Sequence, residues 1–191
     1  YISQHGFPYI IFDNAATPYT FLEGINSCNY ACGSYISLHH TKPIGFGEGG
    51  LAIIDKEYED AVRIATNFGI IDEQFNERSG NYKISEISAA AILQWWDQFD
   101  IDTLSKQFSD NYFKIKYELR DIEGSAYAHY SEDDTFFPNC FPFFPERDVP
   151  EEILNKYEIK KYYKPLRGFR NSTHFYDNIK CFALTEGINY V

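Results

Sequence analysis

Methionine is absent from all 191 residues. The chain opens on Tyr-Ile-Ser and closes on Ile-Asn-Tyr-Val with no polar tail, so it is expected to be an internal fragment. Basic residues are scarce: 17 Lys and Arg stand against 28 Asp and Glu, a formal net charge of -11 and a pI near 4.8. A surface of that sign repels phosphate backbones and anionic headgroups, which argues against nucleic acid or a membrane as primary partner. No apolar run approaches the roughly 20 residues that a membrane helix needs, and no charged-then-apolar leader stands at the start. A cytoplasmic location is the expectation. The four cysteines, Cys28, Cys32, Cys140 and Cys181, lack C-x-x-C spacing and are expected to be free thiols. Cys28-x-x-x-Cys32 followed by His39 and His40 can be drawn as a zinc site, but the spacing is loose and no metal is expected.

What remains is the composition of a folded globular protein, 44% hydrophobic and 24% charged. The 16 Tyr and 17 Phe read as core and interface bulk, or as the bias of an AT-rich genome. Pro8 to Phe12 is a short apolar run ending in Asp13, which predicts a buried parallel strand with a carboxylate at its C-terminal end. Gly33 to His40 and Gly50 to Ile54 read as two further strands, with the glycine-rich segment Gly45 to Gly50 turning between them. Helical spacing runs from Lys56 to Phe68, with Gly69 placed as its C-cap, and again from Ser85 to Phe99 and from Asp102 to Arg120. Phe136 to Pro145 holds three prolines, which predicts an edge strand or an irregular segment and not a central strand. A short helix from Pro150, a strand from Glu158 to Tyr163, and mixed loop and helix signals from Asn171 to Ile179 follow. The expected organisation is α/β: residues 1–99 as part of a large domain and residues 100–191 as a small α+β domain.

The chemistry gathers where the first strands end. A lysine at a strand-to-loop position can form a Schiff base with an aldehyde once its amine is neutral. Lys42 stands there, after Ser37-Leu38-His39-His40-Thr41 and before the glycine-rich turn, whose N–H groups suit a phosphate. Asp13 supplies a carboxylate at a neighbouring strand end. Lysine, carboxylate and phosphate donors are the parts that a pyridoxal phosphate enzyme needs. Singly, each residue has an ordinary alternative: Asp13 as a turn cap, Ser37 as a strand hydroxyl, Lys42 as a solvated lysine, His39 as a satisfied core histidine, Asn81 as turn chemistry after Gly80.

Taken in order, these residues resemble the DegT/DnrJ/EryC1/StrS sugar aminotransferases, pyridoxal phosphate (PLP) enzymes of fold type I, the aspartate aminotransferase fold. Ile10-Ile11-Phe12-Asp13-Asn14-Ala15-Ala16 is similar to the family's strand ending in the pyridine-pairing aspartate. Ser37-Leu38-His39-His40-Thr41-Lys42, with Gly47-Glu48-Gly49-Gly50 behind it, resembles the Ser-Phe-His-x-x-Lys and Gly-Glu-Gly-Gly signature. Asn67-Phe68-Gly69-Ile70 and Gly80-Asn81-Tyr82-Lys83-Ile84-Ser85-Glu86 resemble the two segments that follow, and Lys161-Tyr162-Tyr163-Lys164-Pro165-Leu166 the small-domain Tyr-x-Pro-Leu motif.

The resemblance implies that Lys42 carries the cofactor and shuttles protons, Asp13 pairs with its pyridine nitrogen, and Ser37 contacts its phosphate. Asn81 would reach the cofactor of a partner subunit, making a homodimer with shared active sites. The implied reaction moves an amino group, with glutamate as donor, onto a nucleotide-linked keto-deoxysugar for aminosugar and surface-glycan synthesis. Retention of Lys42, where dehydratase relatives carry His, favours aminotransfer. One departure stands out: Ala16 occupies the position where the family usually has Gln, His or Glu. It keeps open a second expectation, a noncatalytic regulatory or ligand-binding relative of the same fold. The family's upstream phosphate donors and ring-stacking residue are not in this stretch, so the chain by itself is expected to be inactive.

Overall fold

The computed structural model describes residues 9–71, 74–75, 79–126, 130–162, 164–185 and 187–188. Pro8 and Tyr163, each an end of an expected strand, lie outside the described residues. In chain order the elements are β1 (Ile11–Asp13), β2 (Phe21–Leu22), β3 (Ile25–Asn26), β4 (Gly33–Ser37), β5 (Gly50–Ile54), α1 (Glu59–Thr66), β6 (Ile70–Ile71), β7 (Gln74–Phe75), α2 (Glu86–Trp96), α3 (Ile101–Glu118), β8 (Gly124–Ala126), β9 (Cys140–Pro145), α4 (Glu151–Lys156), β10 (Ile159–Lys160), α5 (Arg170–Asn178) and β11 (Lys180–Ala183). They form two compact units. The first holds β1, the turn to Ala15, and Asn26–Phe99; the second holds Ala16–Ile25 and the chain from Asp100 onward.

In the first unit β4 lies between β1, parallel to it, and β5, antiparallel. Asp13 faces Tyr35 across the β1–β4 pair, and Ser37 faces Gly50 across the β4–β5 pair. The expected burial of the first strand is corrected here: Ile11 is 70% exposed. A continuous apolar run specifies a strand that can be covered on both faces. It does not supply the cover, and the described residues leave both Ile11 and Leu51 open.

The helix expected over Lys56 to Phe68 begins as a 3-10 turn at Lys56–Tyr58 and continues as α1. Its end is more strained than a lone C-cap glycine, because Phe68 as well as Gly69 takes a positive φ, 65° and 67°. The Phe68 N–H donates to Gly80 O at 3.0 Å and Lys83 Nζ sits 5.1 Å above its ring, which holds the residue in that conformation. α2 is capped by Ser85, whose Oγ accepts from Ser88 N at 3.0 Å. α3 is capped by Asp100, which accepts from both the N–H and the hydroxyl of Thr103, at 3.0 and 2.7 Å.

The second unit is an antiparallel sheet in the order β10-β11-β9-β8, with α3 packed on β9. Leu104, Phe108, Tyr112 and Ile115, spaced at three or four residues along α3, are all buried, and Tyr112 meets Phe136 and Phe141 edge-on or tilted. Here the proline argument fails: β9 is a central strand, flanked by β11 and β8. Pro142 pairs with Cys181 beyond the last described partner on the β8 side, which is Ala126 opposite Phe143, and Pro145 ends the strand. The mixed signals after Asn171 resolve into α5, and the strand that follows, β11, carries the buried Cys181, Phe182 and Ala183.

Candidate active site

Strand alternation puts Gly33, Tyr35 and Ser37 on one face of β4, and the β1–β4 register puts Asp13 on that same face. The Tyr35 hydroxyl donates to the Asp13 carboxylate. The Ala15 N–H adds a second bond to Asp13 Oδ1 at 3.0 Å. Tyr35 first, then the Ala15 amide, and more weakly the positive charge of Lys42, hold the Asp13 carboxyl below the ordinary aspartate range. Tyr35 in turn is pushed above the ordinary tyrosine range, mainly because its hydroxyl is engaged by that carboxylate.

The next residue fixes the aim of this carboxylate. Asn14 points to the opposite, buried side of the sheet, 7% exposed, and its Nδ2 donates to Ser34 Oγ at 2.7 Å and Ser27 Oγ at 3.3 Å. Its backbone N–H donates to Tyr35 O at 3.0 Å. The end of β1 is therefore clamped from one side, and Asp13 is presented from the other.

Beyond β4 the chain continues as a hairpin stem. Leu38 N donates to Gly49 O at 2.9 Å and His40 N to Gly47 O at 2.8 Å. Lys42 follows directly, its N–H bonded to His39 O at 2.9 Å, with Pro43 and Ile44 buried behind it. A glycine is required at 45, because a Cβ there would lie 2.5 Å from His39 O. Ser37 Oγ accepts from His39 N at 3.3 Å and is half-buried at the C-terminal end of β4.

An open cavity of about 780 Å³ is lined in part by Tyr35, Gly50, Ala52, Asn81 and Ser85; Asp13, Ser37 and Lys42 are not among its lining residues. Ala52 and Gly50 stand opposite Tyr35 and Ser37 across the β4–β5 pair. Asn81 is exposed and held by a bridge to Asn67. So Asp13, Tyr35 and Ser37 share a face, Lys42 is close enough to act on Asp13, and Asn81 reaches the cavity that Tyr35 also lines. Ala16 begins the segment that belongs to the second unit. Sequence reasoning missed Tyr35 and the supporting role of Asn14. The available signal was alternation, which puts residue 35 on the face of Ser37.

This donor set fits PLP. An ionised carboxylate at a strand end suits a protonated pyridine nitrogen, a lysine is near enough for its charge to act on that carboxylate, and the Ser37 hydroxyl can donate to a phosphate.

The family model of the DegT/DnrJ/EryC1/StrS aminotransferase family matches residues 2–178. Among solved structures, the chain is similar to Helicobacter pylori PseC, an aminotransferase involved in the biosynthesis of pseudoaminic acid, at 15% identity and a TM-score of 0.70, over 95% of this chain and 55% of that one. It is similar to a DegT DnrJ EryC1 StrS aminotransferase from Brucella abortus at 17% identity and a TM-score of 0.70, over 95% and 53%. S. venezuelae DesV, solved in complex with a ketimine intermediate, matches at 18% identity and a TM-score of 0.65, over 95% and 53%. The chain spans about half the length of these proteins.

Proposed function

Because the chain belongs to the DegT/DnrJ/EryC1/StrS aminotransferase family, whose cofactor is pyridoxal phosphate, we propose that it is the cofactor-bearing part of an enzyme that aminates a nucleotide-linked keto-deoxysugar. The observation that carries this reading is the Asp13 carboxylate, held ionised by Tyr35 and the Ala15 amide within reach of the Lys42 charge. When bound, the cofactor supplies an electron sink for the carbon that loses or gains a proton. Asp13 keeps the ring nitrogen protonated, and Tyr35 keeps Asp13 ionised and oriented. Ser37 binds the phosphate. Lys42 holds the cofactor covalently and moves the proton at its own Nζ.

The amino donor in this reading is glutamate. The site is completed by a second copy of the protein, whose Asn81 reaches the phosphate. The sugar product feeds aminosugar and surface-glycan synthesis, an assignment in keeping with PseC, whose biosynthetic role is in pseudoaminic acid. No helix among the described residues is long and apolar enough to cross a membrane.

In the intact protein, glutamate should convert bound pyridoxal phosphate to the pyridoxamine form, and a keto-sugar nucleotide should reverse it. Lys42→Ala should abolish both half-reactions, and an unchanged turnover in that variant would remove the proposal. Ala16 favours a second reading, a relative that binds the cofactor and turns nothing over. Cofactor binding without the glutamate-dependent conversion would select it.

A further inference from the structure

Three metal-ligating side chains converge at the mouth of the reversal that carries Lys42. His39, His40 and Glu48 each offer one ligand atom, and these atoms lie within 4.8 Å of one another. His39 Nε2 is 3.7 Å from Glu48 Oε1, and the two imidazole rings are 4.1 Å apart between centroids. Linear spacing associates these histidines with Cys28 and Cys32; folding brings in Glu48 instead, from the far strand of the hairpin.

The 3.7 Å separation is too long for a hydrogen bond, so the imidazole and carboxylate do not satisfy each other. It suits two donors on a common ion, since bonds of about 2.0–2.2 Å to one centre leave neighbouring ligand atoms about 3–4 Å apart. The backbone is already organised for this, because the His40–Gly47 and Leu38–Gly49 hydrogen bonds fix the two flanks in register. The ring of His39 is oriented as well. Its Nδ1 lies 2.8 Å from Thr41 Oγ1 and 3.3 Å from the Thr41 backbone N, contacts that fix the ring with Nε2 turned toward Glu48.

We propose that His39, His40 and Glu48 bind a divalent transition ion of the zinc class, with remaining positions open to water, and that the ion staples the hairpin carrying Lys42. Two imidazole nitrogens and one carboxylate favour zinc, cobalt or nickel over calcium or magnesium. The site stands whether or not the chain binds pyridoxal phosphate.

The test is a Zn²⁺ titration of the protein against a chromophoric chelator, with Co²⁺ absorption as a second reading. The expected result is saturable one-to-one binding, d–d absorption without thiolate charge-transfer bands, and affinity weakened more than about tenfold in both His40→Ala and Glu48→Gln, the least that loss of a direct ligand should cost where outer partners already cost that much. Both residues are exposed, and circular dichroism should show each variant folded like the parent. Three results would overturn the site: no saturable binding by the parent, parental affinity retained in either variant, or thiolate bands that place the ion on the cysteines.

Discussion

Most of the buried large side chains belong to the second unit, and most of the widely exposed ones to the first. Phe108, Tyr112, Phe136, Phe137 and Phe182 are fully buried, whereas Ile87 is 85%, Ile11 70% and Leu93 67% exposed. The residues proposed for chemistry, Asp13, Ser37, Lys42 and Asn81, all lie in the open unit. Two kinds of order are at work. In the second unit packing fixes the structure, because each buried ring gives up its place only at the cost of a cavity. In the first, backbone ladders and a few polar contacts fix it: the Asp13–Tyr35 bond, the Asn14 clamp and the hairpin stem around Lys42.

The sharpest way to break this contrast is to truncate one ring on each side. Phe182→Ala or Phe108→Ala should cost about 3–5 kcal/mol in a urea unfolding experiment. Leu51→Ala, at a half-exposed site, should stay within about 1 kcal/mol. Equal losses would mean that the first unit is covered as fully as the second.

Helix caps should give the next largest effect. Asp100→Ala removes the bonds to Thr103 N and Oγ1 and should lower the urea midpoint by less than the ring truncations do. The Asp100 carboxyl lies below the ordinary range because of those same bonds. Its contribution is therefore present above the unfolded aspartate value of about 3.9 and is lost as pH falls through the lower folded value.

The smallest effect on stability, and the most informative about the site, belongs to Asp13→Ala. Removing the carboxylate should bring the Tyr35 titration down toward the ordinary tyrosine range, followed by near-ultraviolet absorbance, with the fold retained. The folded Asp13 value is depressed, so any stability lost in Asp13→Ala should appear above about pH 4 and vanish as acid protonates the parent. A Tyr35 titration that does not move would dissolve the pairing on which the site rests. In the second unit, the hydrogen bond with Cys140 and then the Lys161 charge hold the Cys181 thiol below its ordinary range, while Cys140 is pushed up.

Local signals account for much of the first unit. Gly50 to Ile54 folds as the strand that its apolar run predicts, and Ser85 and Asp100 cap helices whose periodicity is plain in the chain. What could not be seen locally depends on pairing across long separations. Tyr35 becomes the partner of Asp13 only once β1 lies parallel to β4, a register that no short window contains. Glu48 meets His39 only across a closed hairpin. β9 becomes central because both β8 and β11 pair with it, partners that lie far from it in the chain. The open face of β1 was illegible for another reason: an apolar run states what a strand can bear, and its cover comes from elsewhere.

The most direct test of the account is to incubate the protein with pyridoxal phosphate, reduce it with borohydride and locate the stable adduct by peptide mass mapping. The account predicts a single predominant adduct on Lys42, weakened when Asp13 is replaced by Ala. Label spread over surface lysines such as Lys56, Lys106 and Lys164, with Lys42 no more modified than they are, would contradict it.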